Sequence, residues 1–248
     1  MVEQRLSKPL DPSSSDACGI EPQLRSSRVA QAIAWAFVGV TALVWVGVVL
    51  RMNSPWDWAI LALLAPLSWA AADLTTGFVH WVLDTYGDPE MPVFGPLLIE
   101  PFRHHHVEPK AMLAFGPADL VMTSAGPALP FQIAVALWFT LGDGHPVAVG
   151  AISLWLAGTV STNMFHRWAH DEHAPRWARM LQRAGLILSP EAHARHHAPP
   201  HTRSYCITCG WLNGPMDRLR MFQRAERVLA WVGLKPHATA HVEHPPNP

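Results

Sequence analysis

The sequence predicts an all-α integral membrane protein with about four transmembrane helices and a cytosolic, histidine-rich helical cap. Three observations lead there. Only 15% of the 248 residues are charged, whereas soluble domains average about 25%. Long apolar segments recur along the chain. Fifteen histidines are present, and most of them gather where those segments end.

The first 28 residues are polar and rich in Ser and Pro, so they read as a disordered cytosolic tail with no cleavable signal. Residues 29–50 follow with Gln31 as their one strongly polar member, bracketed by Arg28 and Arg51. At 1.5 Å per residue such a helix covers about 33 Å, enough for the roughly 30 Å hydrocarbon core. Residues 58–83 are apolar first and then carry Asp73 and His80, with Asp84 just beyond. Residues 117–141 are weakened as a span by Pro127 and Pro130, which are expected to kink or split it. Residues 146–165 supply the fourth span. Residues 29–235 are read as one membrane-embedded domain with its cap, and 236–248 as a second disordered tail.

Four spans leave both tails on one side. Of the 18 Lys and Arg, only Arg51 falls in a connection on the other side, so both termini and the cap are expected in the cytosol. A formal net charge of -1 gives no electrostatic reason to expect nucleic acid as a partner. Three cysteines, Cys18, Cys206 and Cys209, are too few for a disulfide framework, and the lone CxxC lacks the second pair of a structural zinc site.

Placing the spans sorts the histidines. His80 lies at the cytosolic end of the second span, and His104, His105 and His106 lie in the next loop. His166 and His170 lie at the end of the fourth span. His193, His196 and His197 follow in "SPEAHARHH", where Ser189 suits an N-cap and Pro190 a first helical position. At i, i+3 and i+4 these last three are expected to share one helix face. Asp73 and His80 share a stripe, with Gly77 between them open to close approach by another helix. An ionisable group at Asp73, inside a span, marks a functional candidate. His145, on the far side, is expected to be unrelated.

Four histidine groups converging on one membrane face predict a metal site. One ion needs about four ligands, and the surplus of imidazoles suits two ions. Imidazole accepts Zn, Cu, Fe or Ni; non-haem iron suits O₂ chemistry on lipid because it changes oxidation state.

The segments "DLTTGFVHWVLDTYG", "PFRHHHVEP", "TNMFHRWAH" and "ILSPEAHARHHAPPHTRSYCITCGWLN" resemble the lipid desaturase family that includes the CarF-type plasmanylethanolamine desaturases and a plastid phosphatidylglycerol palmitate desaturase. The resemblance covers roughly residues 58–230. It implies that His80, His105, His106, His166, His170, His193, His196 and His197 bind two iron atoms. His104 stands where the family pattern has Glu, and Cys209 where it has Thr. Asp73, Asp84, Asn163 and His201 match family positions that supply ligands or orient imidazoles. The implied reaction is O₂-dependent desaturation of the alkyl chain of an ether phospholipid, giving the vinyl ether of a plasmalogen. The implied partners are the phospholipid and an electron donor such as cytochrome b5 or a ferredoxin with its reductase. Arg176, Arg179 and Arg183, near the cytosolic face, offer that donor or lipid phosphates a basic surface.

Two other readings stand beside this one. An acyl-lipid desaturase or hydroxylase starts from the same hydrogen abstraction, and no residue separates it. A membrane metal-binding or transport protein needs polar residues across the bilayer, which the first and third spans lack. A zinc hydrolase is disfavoured by the histidine surplus and the lack of an HExxH motif.

Overall fold

The computed structural model describes residues 28–237. Residues 1–27 and 238–248, which hold most of the two tails read as disordered and Cys18, lie outside the described residues; of the rest of the tails, Arg28 opens the first helix and the His237 amide donates to the Thr85 carbonyl at 2.8 Å. Among the described residues every regular element is helical. Four helices are long and apolar enough to cross a membrane: α1 (Arg28–Arg51), α2 (Pro55–Thr85), α4 (Pro117–Leu141) and α5 (Pro146–His170). Between α2 and α4 lie a π-helical turn (Gly95–Ile99), α3 (Glu100–Val107) and a 3-10 turn (Pro109–Ala114). The cap after α5 holds α6 (Arg176–Arg183), α7 (Pro190–Ala194), α8 (Asn213–Arg218) and α9 (Met221–Trp231).

The helix ends follow from local chemistry. Ser54 caps α2 by accepting from the Trp56 amide, and Pro55 fills the first helical position. His145 does the same for α5 through Nδ1, accepting from Val147. The histidine expected to be unrelated to the others is thus a helix cap. Pro127 and Pro130 leave α4 as one continuous helix. Pro127 lies in the wall of a cleft, where a neighbour and not propensity decides whether a freed carbonyl is tolerated, and Pro130 is exposed on the surface of the helix.

α5 is the most buried of the four long helices and packs against each of the others. α1 lies on α4 and α5, where Phe37, Val44, Val48, Val135, Phe139 and Val149 make the membrane-level core. The Arg51 guanidinium donates to the Phe139 carbonyl and lies over its ring, 4.3 Å from the centroid. α2 meets α5 closely because Gly158 has no side chain: a Cβ there would stand 2.9 Å from that of Ala72. Leu43, Leu50, Leu63 and Leu67 are among the large apolar side chains left exposed around this bundle. Such a surface suits lipid and not water.

α2 and α4 both lean on α5 and leave a cleft between them. At the ends of α2 and α5 that carry histidines, α3 and the cap close over the bundle.

Candidate metal centre

The loop after α7 is fastened by Asp73. Its Oδ1 accepts from the amides of Thr208, Cys209 and Gly210 at 2.9–3.1 Å, and its Oδ2 from Leu212 at 3.1 Å. The residue is fully buried. An otherwise costly charge is therefore matched by four N–H dipoles. Gly77, four residues on, faces the same loop and not another helix: a Cβ there would stand 2.6 Å from Cys206 Sγ. Thr208 extends the seam by hydrogen bonding Thr76 of α2 at 3.0 Å and Thr162 of α5 at 2.6 Å. The CxxC expected to be weak as a zinc site is part of this fastening: both cysteines are free and buried. Burial, with Asp73 nearby, pushes both thiols well above their ordinary range.

With that loop anchored, the imidazoles meet in two groups. His105, His166, His170, His193 and His197 form one, and His80, Asp84, His106 and His196 form the other. Within each group the candidate ligand atoms lie within 4.8 Å of one another. All eight histidines named from the resemblance fall in one group or the other, and Asp84 joins them. His104 falls in neither and lines an adjoining cavity.

The expected common face of His193, His196 and His197 is not what forms. α7 ends at Ala194, and the chain continues in tight turns. His193 and His197 enter the five-histidine group, with their Nε2 atoms 2.9 Å apart, while His196 turns to the other group, 2.9 Å from His106 Nε2.

The donor sets suit metal ions better than they suit each other. Nε2 of His105 stands 2.8, 3.0 and 3.2 Å from Nε2 of His166, His170 and His197. A single ring nitrogen carries one proton or one lone pair, so it cannot satisfy three such neighbours. In the second group Asp84 Oδ2 lies 3.3 Å from Nε2 of His80 and 3.4 Å from Nε2 of both His106 and His196. Ligands held about 2.1 Å from one ion stand about 3.0 Å apart at right angles and about 3.4 Å apart at tetrahedral angles. Both sets of spacings match. Both groups also sit at helix C-termini, where the backbone dipoles favour a cation.

Backbone carbonyls orient the rings. The Tyr205 carbonyl lies 3.1 Å from His80 Nδ1, and the Arg203 carbonyl 2.9 Å from His196 Nδ1. A proton held at each Nδ1 leaves the Nε2 lone pair facing the ion position. Burial and the neighbouring imidazoles hold His105, His106 and His193 well below the usual histidine range, and His197 at about 3. These four rings are thus kept neutral, the state a ligand requires.

The remaining candidates surround these groups. His201 stacks on His106 with ring centroids 4.5 Å apart and has Nδ1 3.3 Å from the His196 carbonyl. Asn163 donates to Thr123 Oγ1, Ser124 Oγ and the Leu120 carbonyl, joining α5 to α4 beside the cavity that touches His105 and His166. Sequence reasoning missed Tyr205, which is fully buried, carries the His80 carbonyl contact and packs on His196. The only signal was a Tyr one residue from a cysteine that draws more attention. Arg176 and Arg179 are exposed on α6.

Comparison with known proteins gives a consistent result. A family model described as "Lipid desaturase domain" matches residues 69–239. Plasmanylethanolamine desaturase of Myxococcus xanthus is 36% identical over 227 residues, covering 89% of this chain and 77% of that protein. Plasmanylethanolamine desaturase 1 of Mus musculus is 31% identical, covering 76% of this chain and 73% of its own length. Chloroplastic fatty acid desaturase 4 of Arabidopsis thaliana is 30% identical, covering 71% of this chain and 54% of its own. No solved structure matches the chain.

Proposed function

The chain belongs to the lipid desaturase family, and from that membership we propose that it forms the vinyl ether bond of plasmalogens from alkyl ether phospholipids. The observation that supports this most is the pair of ligand groups at one end of a membrane bundle, beside an apolar cavity. The donor sets, all imidazole apart from Asp84, fit two iron atoms. Bound iron would supply the redox chemistry by which O₂, two electrons and two protons take two hydrogens from adjacent carbons and leave as water. The electrons come from a carrier such as cytochrome b5 or a ferredoxin, with the exposed arginines of α6 as its docking face.

The chain's own residues hold and orient. His105, His166, His170, His193 and His197 hold one ion, and His80, Asp84, His106 and His196 the other. The Tyr205 and Arg203 carbonyls keep protons at Nδ1 of His80 and His196. Asp73 seats the loop that carries Tyr205, and the stacked His201 steadies His106. Asn163 fixes α4 against α5 where the substrate chain passes. The cap keeps bulk water from both ion positions. We infer that this end and both termini face the cytosol, a reading supported by Arg51 being the one Lys or Arg in a connection on the other side.

A second reading is favoured by one comparison: the Arabidopsis relatives are named fatty acid desaturases, and an acyl chain offers the same C–H bonds. Lipid analysis of cells expressing the gene under air tests both. The expected outcome is acid-labile vinyl ethers at the expense of alkyl ethers, abolished by His193→Ala. New acyl double bonds without vinyl ethers would replace the first reading by the second.

A further inference from the structure

The cleft between α2 and α4 has α5 as its floor and holds a cavity of about 330 Å³. A smaller cavity of about 150 Å³ adjoins it, with shared walls at Leu98, Phe102, Thr123 and Asn163, and reaches His105 and His166. In the other direction Phe131, Trp155 and Leu156 are shared with an apolar groove of about 260 Å³ along α4 and α5. The three spaces thus adjoin one another in a row, from the five-histidine group into the middle of the bundle. The row opens sideways, where Phe131 is 66% exposed on the bundle surface. The four-ligand group lines none of these cavities.

The geometry points to this row of spaces as the seat of one hydrocarbon chain of a membrane lipid, which enters laterally between α2 and α4. This rests on the lipid desaturase reading and adds where the chain lies. Length is the first argument. From His166 to Trp155 the helical rise is about 16 Å, matching half of the roughly 30 Å hydrocarbon core. One leaflet-deep chain fills it. Polarity is the second. The hydroxyls of Thr75, Thr123, Thr159 and Thr162 bond back to helix carbonyls one turn earlier, so the walls present methyl groups. Charged and ionisable groups other than the histidine ligands, namely His104, Glu108 and Asp119, rim only the inner cavity. The polar part of the lipid therefore stays beside the histidines while its chain points away. The carbons presented to the five-histidine group are then those nearest the glycerol.

The test uses full-length, metal-loaded protein in phosphatidylethanolamine vesicles doped with an alkyl ether phosphatidylethanolamine that carries a diazirine at mid-chain. Photolysis is expected to label Phe102, Thr123, Phe131 and Thr159. Thr159→Trp fills the cleft. It should leave metal content unchanged and cut labelling of Phe102 roughly tenfold, the effect of overfilling an apolar site. Leu63→Trp, on the outer face, should change neither. Adducts confined to outer-face residues such as Leu63 in the wild type would overturn the assignment, whether or not Thr159→Trp folds. So would full labelling of Phe102 in Thr159→Trp. Labelling in the cleft without vinyl ether formation removes the proposed reaction and leaves the chain site standing; vinyl ether formation with labelling elsewhere does the reverse.

Discussion

Replacing Asp73 separates a fastener from a ligand. Its carboxylate accepts four backbone N–H groups from a loop that is also held by two threonine contacts, the Asn213 bonds to Cys206, the Leu188 amide on the Thr208 carbonyl and the Trp211 indole on the Gly185 carbonyl. Asp73→Ala orphans all four donors in a fully buried place. At about 1–3 kcal/mol for each orphaned donor, the loss is at least on the order of 4 kcal/mol. That is comparable with the whole stability of many domains, about 5–15 kcal/mol. Asp73→Asn keeps an acceptor for Thr208, Cys209 and Gly210 but turns an N–H₂ toward the Leu212 amide, losing one bond, or about 1–3 kcal/mol. For a chain of this size, at about 2–4 °C per kcal/mol, that lowers the unfolding midpoint by roughly 2–12 °C. Thermal unfolding in detergent, paired with metal analysis at low temperature, measures both effects. The expected order is wild type above Asp73→Asn above Asp73→Ala, with metal content in Asp73→Asn unchanged. A variant with the wild-type midpoint and one ion fewer would refute the reasoning, because it would make Asp73 a ligand.

Two more outcomes are expected. His106→Ala and His196→Ala should each lower bound metal from about two ions to about one, and His193→Ala and His197→Ala should remove the other ion, as read by metal quantification; identical loss from all four would mean a single shared site. Metal-free protein should also lose stability in acid. His105, His193 and His197 resist protonation when folded, His197 down to about 3, whereas unfolded histidine takes a proton near about 6.5. Below that value the unfolded state binds more protons, so the stability that is intact above about 6.5 declines as pH falls toward about 3. Unfolding midpoints measured down a pH series should drop by several degrees, and midpoints that rise on acidification would contradict the burial.

Much of this was legible in the sequence because its signals are one-dimensional. An apolar run reports a span whatever it packs on, so all four long helices fall where hydropathy places them, and the longest, α2, simply continues past Asp84 to Thr85. The convergence of His80, His105, His166 and His193 followed from counting spans. The role of Gly77 did not follow, because the partner that needs its missing side chain is a loop more than a hundred residues away. Asp73 was conspicuous as a charge in a span, but nothing local says that backbone amides at 208–212 answer it. The cleft was hidden for a similar reason. Pro127 and Pro130 suggested a broken helix, whereas in the fold both sit in one intact helix and Pro127 lines the cleft.

The division of the histidines shows how a pattern can be legible and still be misread. Spacing of i, i+3 and i+4 suggests one face, and a single ion would want it so. Two adjacent ions need something else, namely consecutive residues that point apart. At 105–106, neighbours on a helix diverge by about 100°, and at 196–197 the turns after α7 do the same, so each HH doublet serves two sites at once. His105 goes to the five-histidine group and His106 to the other; His197 and His196 repeat the division from the opposite wall. The i, i+4 pairs stay together: His166 with His170, His193 with His197, and His80 with Asp84. Doublets divide and four-residue spacings unite. Under that rule the second ion is already implied by the doublets at 105–106 and 196–197, and a variant that inserts one alanine between His196 and His197 should disrupt both groups at once.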